Sequence, residues 1–385
     1  MIPIKYNLRS LRVRWVTTLL TIIAIGIVVF TSVLTFGMIA GIDHALSSSG
    51  DPEDIIVMRK GSTDEMSSTI AASAADNLAI LKDVATGANG EKLASREFVT
   101  ILIKSRRNNG GSANVIVRGL EQVGRQLRPD FKIVEGRDIV PGVNELITSK
   151  SMAERFEGLG VNEELKINNT SFKVVGMFTA GGSSAESEVW TDLRDLTSAQ
   201  RYDGAISVVN MRVEDEEKRK SVMEGIRDDV QFKLEPITEE DYFENQKSSS
   251  AALKAIAYII AGFLTIGAMF AAANTMYAAV SSRGREIGTL RAIGFPRRHI
   301  LMSFLVESLV ICLIGGALGC LATLPLNGLS GGTANGFTEI TFALRFDAKV
   351  LMQGMILALA MGLLGGLFPA IRAIRLEIIN ALRQR

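Results

Sequence analysis

Four long stretches of this chain carry no charge, and they divide it. No charged residue occurs between Trp15 and Ile42, between Ala255 and Ser282, between Ser308 and Thr338, or between Val350 and Ile371. A helix rises about 1.5 Å per residue, so crossing a hydrocarbon core of about 30 Å takes about 20 apolar residues. Each run is long enough, and the third contains a loop after Pro325. The pattern predicts membrane-spanning helices at residues 15–42, 255–282, 300–325 and 350–371. The first run is well beyond the about 7–15 residues of a signal-peptide core, so it reads as a retained span.

Between the first two spans the pattern changes. Residues 43–254 contain short runs rich in β-branched residues: DIIVM, FVTILI, ANVIVRG, ELITS, ELKIN, FKVVGMF and AISVVNMRV. Such runs, bounded by turn residues, predict strands. The last is followed by the polar helical stretch EDEEKRKSVMEGIRDDV and then by QFKLEPI, the order of a β-α-β crossover. SSTIAASAADNLAIL reads as helical. The loops at 107–114 and 181–188 read as mobile, and KSSSAALK as the connection to the second span. Residues 326–349 read as a short extracytoplasmic loop. The predicted class is a membrane α-helical protein of four transmembrane helices, with a large extracytoplasmic α+β domain between helices 1 and 2.

Charge orients this arrangement. Net charge is +1, but residues 43–254 carry 27 basic and 36 acidic residues. Residues 1–14 carry four basic residues and no acidic one, residues 283–299 five against one, and residues 372–385 four against one. Lys and Arg beside membrane spans mark the cytoplasmic side. All three basic segments then lie inside, both termini included, and 43–254 lies outside. In residues 1–14, Ile4, Leu8 and Leu11 share a helical face and continue to Trp15, while Lys5, Arg9 and Arg12 share another. That predicts an amphipathic helix lying on the bilayer surface.

No motif of catalytic chemistry stands in the chain. The sequence has no phosphate-cradling GxxxxGK[ST], no HExxH, no CxxC and no EF-hand loop, so neither a catalytic nor a metal site is expected, and nothing suggests a nucleic-acid partner. His44 and His299 fall on opposite sides of the membrane in the predicted topology and cannot share a site. Cys312 and Cys320 lie about 12 Å apart along one helix, too far for a disulfide within it. The carboxylates of the outer segment read as a solvated surface. Glu214–Glu217 suit a helix N-terminus, where negative charge is favourable.

Inside the spans, Gly315 and Gly319, and Gly362 and Gly366, have the GxxxG spacing that lets helix backbones approach closely. Glu307 is the ionisable residue that must sit within a span. It is read either as a polar contact within the bundle or as an anchor of the inner end of the third span, paired with Arg297, Arg298 or His299.

The basic loop 283–299, SRGREIGTLRAIGFPRRHI with its preceding serine, is more than a reversal of direction. Glu286, Ile287, Leu290 and Arg291 are spaced for one helix, and Gly294 followed by Pro296 is a stop signal. An apolar face on so short a helix points to a partner. Without an ATPase motif in the chain, the expected partner is a cytoplasmic protein that pushes on this helix. Ile287 and Leu290 are expected to enter its groove, and Glu286 to meet a basic residue or a helix end there.

The stretch NTMYAAVSSRGREIGTLRAIGFPRRHILMSFLVESLVICLIGGALGC resembles the signature of the MacB/FtsX-like ABC transporter permeases. NLRSLRVRWVTTLLTIIAIGIVV, VRGLEQ, VEGRDI, NELITSKSMAERFEGLGV, FKVVGMF and FPAIRAIRLEIINALR resemble other parts of that family, so the likeness covers most of the chain. Pro296 with the basic pair after it, and IIN in the tail, depart from the usual pattern. The resemblance implies a non-enzymatic permease subunit of a bacterial inner-membrane ABC transporter, working as a homodimer with two copies of an ATPase. ATP and Mg would be held by that ATPase, a separate chain, since only 14 residues precede the first span. The loop would be its coupling helix, with Arg285, Glu286, Ile287, Gly288, Leu290, Arg291, Ala292, Gly294 and Phe295 as coupling positions. Asn274 matches the asparagine that opens the signature and joins Glu307 as an intramembrane polar position. The motion would travel outward through stalk-like extensions of spans one and two, called mechanotransmission, to export a drug, peptide, lipid or lipoprotein. Many members act beside a periplasmic adaptor and an outer-membrane channel. The alternative within the family is an FtsX-like transmitter that activates extracellular cell-wall hydrolases; the size of the outer segment favours export.

Overall fold

The computed structural model describes residues 15–87, 89–107, 111–128, 130–202, 204–249, 251–335 and 338–375. The amphipathic segment 1–14, the tail from residue 376, and residues 108–110 of one predicted loop lie outside the described residues. The chain divides into two compact units: one holds residues up to Ala40, Ala252–Leu329 and Leu344 onward, the other Gly41–Ala251 and Ser330–Ala343.

The first unit consists of the long helices, each long and apolar enough to cross a membrane. They run over Trp15–Ser47, Ala251–Ser282, Arg297–Thr323 and Ala348–Arg375. The first continues past the expected Ile42 because no glycine or proline interrupts it after Gly41 until Gly50 and Pro52. The second begins within the predicted connection, where AALKA favours helix over linker. Proline sets both ends of the third: Pro296 caps its start in an extended conformation, and Pro325 falls in the 3₁₀ turn Leu324–Leu326 that closes it.

Small residues set the packing of these helices. A Cβ added at Gly319 would come within 2.6 Å of the Gly26 carbonyl oxygen, and one at Gly315 within 2.8 Å of the Ile22 carbonyl oxygen. The third span therefore lies backbone to backbone against the first. A Cβ at Gly366 would meet Ser308 Cβ at 2.6 Å, and one at Gly362 would meet Cys312 Cβ at 3.1 Å. Beside that contact Ser308 Oγ donates to the Gly362 carbonyl oxygen at 2.8 Å. Lipid gives no hydrophobic force for helix association, so close van der Waals approach of this kind must supply it. Cys312 and Cys320 are free and buried.

The outer unit is built on a mixed sheet. Its first strands are β1 (Asp54–Arg59), the short β2 (Ile70–Ala71), β3 (Ala94–Ser105) and β4 (Ser112–Leu120). β5 (Phe131–Gly136), β6 (Glu145–Ser149), β7 (Glu164–Ile167), β8 (Thr170–Ala180) and β9 (Glu188–Asp192) follow. The short β10 (Ala205–Ile206), β11 (Val208–Arg212) and β12 (Leu234–Thr238) complete this run. The strand order is β12-β1-β11-β3-β4-β9-β6-β8-β5, with β7 on β8; β2 pairs with β10 apart from it. β11 and β12 flank β1, each antiparallel to it, so they run parallel to each other. The polar helix Glu216–Asp228 makes the crossover between them, capped by Asp215 Oδ1 accepting from the Glu217 and Lys218 amides.

The helical reading of 67–81 holds only for Ala72–Ala79, because Ile70 and Ala71 are taken up by β2. The described residues of the loops expected to be mobile are largely structured. Ser112–Asn114 start β4, and Ser184–Ser187 form a 3₁₀ turn before β9. Glu186 Oε1 holds that turn by accepting from the amides of Ala180, at 2.7 Å, and Gly182, at 3.0 Å.

The predicted loop 326–349 contains a hairpin, β13 (Ser330–Asn335) and β14 (Thr338–Ala343), which belongs to the outer unit. A Cβ at Gly41 would lie 2.2 Å from the Ala343 carbonyl oxygen, so only glycine admits this strand end against the helix. Bulky side chains fill the sheet's cores. Trp190 and Phe178 are fully buried and stack at 4.3 Å between ring centroids, with Phe131 stacked on Trp190 at 5.4 Å.

Candidate functional site

The loop between the second and third spans folds as expected into a short helix, Gly284–Ala292. Its end is a Schellman motif. Ile293 is the C-cap, the Gly294 amide donates to the Arg291 carbonyl oxygen at 3.1 Å, and the Phe295 amide donates to the Leu290 carbonyl oxygen at 3.1 Å. Gly294 has φ of 101°, a conformation that a side chain would strain. The turn geometry thus follows from one glycine, with Pro296 opening the next helix.

The helix is amphipathic, but with faces assigned differently from the sequence reading. Arg283, Gly284, Ile287 and Gly288 are buried. Ile287 is 2% exposed and sits in a cluster with Met276, Val280, Ile300, Phe304, Ala370 and Ala373. It anchors the helix to the spans and has nothing left to offer a partner's groove. Leu290 is half-buried, as are Arg291 and Phe295, while Arg285, Glu286, Thr289, Ala292 and Ile293 are exposed. Ile293, 72% exposed, is the apolar knob of the open face and was not among the expected contact residues. Its signal was present: Glu286, Thr289 or Leu290, and Ile293 follow one another at three- and four-residue steps, opposite Ile287.

Glu307 is also placed differently. It is 5% exposed, and its Oε2 accepts from Arg283 Nη1 at 3.0 Å, not from Arg297, Arg298 or His299. Arg283 is 8% exposed at the junction where the second span ends and the loop helix begins. Spacing along the third span could not reveal this pair, because the partner comes from another helix. Taking one member of such a buried pair away typically costs about 3–5 kcal/mol, since the other charge is left uncompensated. The ion pair therefore fixes the loop helix to the third span. Arg291 Nη1 lies 3.4 Å from the Ile374 carbonyl oxygen and ties the same loop to the end of the fourth span. Asn274 is exposed on the second span, away from Glu307's contact.

A second constellation, in the outer unit, takes a few of its carboxylates, Glu97 and Glu188 among them, out of the solvated surface expected of them, while most of the others stay exposed or partly exposed. Arg118, on β4, is 4% exposed and holds three carboxylates. Its guanidinium reaches Glu188 Oε1 at 2.6 Å, Glu97 Oε2 at 2.8 Å and Glu65 Oε2 at 2.5 Å. Arg128 donates to both oxygens of Glu97 at 3.0 Å and lies over the Trp190 ring, whose Nε1 donates to Glu188 Oε2 at 2.8 Å. Burial opposes ionisation of Glu97, but the two guanidinium groups win and bring its pKa down to about 2. Glu65 goes the other way: burial raises its pKa, beyond what its single cation Arg118 offsets.

Nearby, the Asp51 amide donates to Glu239 Oε2 at 2.9 Å. Burial pushes the Glu239 carboxyl up to about 8. Arg212 pairs with Asp54 and Asp51, yet burial still takes Asp54 up to about 6. Among the described residues no group of His, Cys, Asp and Glu could hold a metal ion.

Two families match the two parts of the chain. The MacB-like periplasmic core domain matches residues 16–229, and the FtsX-like permease C-terminal domain matches residues 258–378. A macrolide export ATP-binding/permease protein of Chlorobium luteolum is 29% identical over 246 residues, 58% of this chain and 35% of that protein. A Bacillus subtilis protein described as an uncharacterized ABC transporter permease is 38% identical over 112 residues, 29% of this chain and 25% of the relative. The chain thus spans about a third or less of the length of these relatives. The periplasmic region of MacB from Actinobacillus actinomycetemcomitans aligns with 54% of this chain and 97% of its own, at 11% identity and a TM-score of 0.39.

Proposed function

The chain belongs to the MacB/FtsX-like permease family, an ABC transporter permease with four membrane-crossing helices and a large domain between the first two, and from that premise we propose that its loop helix Gly284–Ala292 is the docking element for an ABC ATPase. The observation that carries the reading is the division of that helix into two faces. One is clamped to the spans by Ile287 and by Arg283 with Glu307. The other presents Arg285, Glu286, Thr289, Ala292 and Ile293, with Leu290 at its edge. A helix clamped on one side and open on the other can take a push and pass it on without sliding.

The route outward is the unbroken helix Trp15–Ser47, which continues beyond the apolar run. Nucleotide-driven closure of the ATPase would shift the loop helix, and the Arg283–Glu307 pair would carry the shift to the third span. Gly315 and Gly319, packed on Ile22–Phe30, would pass it to the first. The permease works as a homodimer in this account, with the exposed Asn274 finding its partner across the two copies. A lone polar side chain facing lipid is unfavourable. The work done is export of a substrate across or out of the inner membrane, with both termini inside, ATP and Mg on the ATPase, and an adaptor and outer channel as companions.

The test is Leu290→Asp together with Ile293→Asp. A charge forced into a docking groove is costly, and losses of about 2–5 kcal/mol correspond to roughly 30-fold or weaker assembly. Each variant is expected to reach the membrane and to lose the ATPase on co-purification. Full retention of the ATPase by both variants would refute the docking assignment. With the ATPase bound in the parent protein, reconstitution that shows ATP-driven hydrolase activation without substrate movement would replace export by signal transmission.

A further inference from the structure

The outer unit contains a cleft of about 360 Å³, within the range of small-molecule sites. We propose that it is a ligand site for a small organic ammonium compound with an apolar body. Its walls are β1, β4 and β11, the chain from Leu46 to Pro52, the residues Leu127, Arg128 and Asp130, the turn from Ala180 to Glu188, and the helical stretch Tyr242–Gln246.

The sign of the ligand follows from the wall. Five acidic residues line the cleft, Asp51, Glu65, Asp130, Glu188 and Glu239, against the two arginines Arg118 and Arg128. Both arginines are occupied: Arg118 by Glu65, Glu97 and Glu188, and Arg128 by Glu97. An anion would find both guanidinium groups already taken. A cation meets Asp130 and Glu239, the two lining carboxylates that hold no arginine among the described residues, since Asp51 is held by Arg212 and Glu65 and Glu188 by Arg118. Asn210 supplies an independent pointer. It lines the cleft from β11, is 6% exposed, and its Oδ1 has no hydrogen-bond partner. A buried acceptor left unmade is unfavourable, and a donor brought in by a ligand would remove that cost.

The body of the ligand follows from the rest of the lining, where Ile56, Tyr242 and Phe243 present apolar surface. A bare divalent cation fits less well, because the carboxylates are not arranged as a metal-binding group among the described residues. The position gives the site a consequence. Leu46–Pro52 ends the helix of the first span, and Tyr242–Gln246 lies in the helix Glu239–Ser249 just before the second. The bond from the Asp51 amide to Glu239 already links these two stretches. An occupant touching both would set their spacing.

Trp190 is a built-in reporter, since it donates to the cleft residue Glu188. In a Trp15→Phe background it is the sole tryptophan of the two in the chain. The full-length protein in nanodiscs, without ATPase, is titrated at pH 9, where Glu239 with its pKa of about 8 is mostly ionised and a primary amine is still charged, with 4-phenylbutylamine and, separately, with its uncharged counterpart 4-phenylbutanol. Empty nanodiscs report partitioning. The amine is expected to give a saturable change in Trp190 emission and the alcohol none. Glu239→Gln and Asn210→Leu should each weaken the amine at least tenfold, with folding checked by thermal melting.

Equal responses to amine and alcohol on the native chain overturn the proposal. So does an amine response that survives both substitutions, or no saturation up to about 10 mM. The titration contains no ATPase, so its failure leaves the docking assignment standing.

Discussion

The two units reach a packed interior by opposite means. In the outer unit the deepest positions are large: Trp190, Phe156, Phe172 and Phe178 are fully buried. Among the spans the closest contacts are made where side chains are missing, at Gly315, Gly319, Gly354, Gly362 and Gly366. The difference follows from the solvent. Water rewards burial of apolar area at about 25 cal/mol per Å², so a large side chain is the effective way to hold the sheet together. Lipid tails are as apolar as leucine, so the spans gain from backbone proximity instead. Ion pairs divide in the same way. The outer unit supports a network of three carboxylates on one arginine, while the described residues of the spans and their loop rely on Arg283 with Glu307 for a pair buried on both sides.

This contrast can be broken from either side. Trp190→Ala should have the largest effect. Truncating a buried tryptophan typically costs about 3–5 kcal/mol, and here it also removes the stack on Phe178 and the donor to Glu188. Protease resistance and the melting midpoint of the outer unit should fall sharply, while the spans keep their helicity by circular dichroism. An unchanged outer melting midpoint would contradict the account of its core.

Gly319→Leu is the reverse experiment and the next in size. Overpacking typically costs about 1–3 kcal/mol, and at Gly319 the obstacle is the Gly26 carbonyl oxygen at 2.6 Å, which cannot turn aside like a side chain. The expected result is detergent-sensitive loss of the folded membrane unit. Cysteine cross-links between the first and third spans should become slower, and the outer unit should melt as before. Unaltered cross-linking between the two spans would show that glycine spacing does not set their approach.

The smallest effect sharpens the electrostatic half of the comparison. Glu239 has its folded pKa raised to about 8 from an ordinary 4.5. The folded state therefore holds a proton that the unfolded chain releases, so this contribution to stability is full below about pH 4.5 and is lost as pH rises toward 8. Asp54, raised from 3.8 to about 6, acts in the same sense over a lower window. The charged groups around Glu239 are Asp51, Asp54 and Arg128. Melting of the outer unit should shift upward as pH falls from 8 to 6, and Glu239→Gln should flatten most of that slope. A steeper slope in the Gln variant would reverse the sign argued here.

The sequence made the spans plain because each is declared by the absence of charge over a whole helix length. It made most strands plain because β-branched runs such as DIIVM and FVTILI are long enough to show. It did not disclose β13, where SGGTAN carries almost no apolar residue, whereas FKIVEG of β5 and EVWTD of β9 are as apolar as ELITS of β6 and were open to the same strand reading. At the loop helix, the stop at Gly294 was legible because it is local chemistry. The spacing separates the stripe of Glu286, Leu290 and Ile293 from Ile287, but which of the two is buried was not legible, because that depends on what lies beside Ile287, the cluster of Met276, Phe304 and Ala370. The pairs Arg283–Glu307 and Arg118–Glu188 join positions far apart in the chain and leave no trace in spacing.

The central claim is that the loop helix docks an ATPase through one face and holds the spans through the other. The most direct measurement places a photoactivatable cross-linking amino acid at Ile293 and, in a separate variant, at Ile287, then identifies the products by mass spectrometry after irradiation in membranes. The account predicts an adduct with an ABC ATPase from position 293 and only adducts within the permease from position 287. ATPase capture from 287, or its absence from 293 while the ATPase still co-purifies, would contradict it.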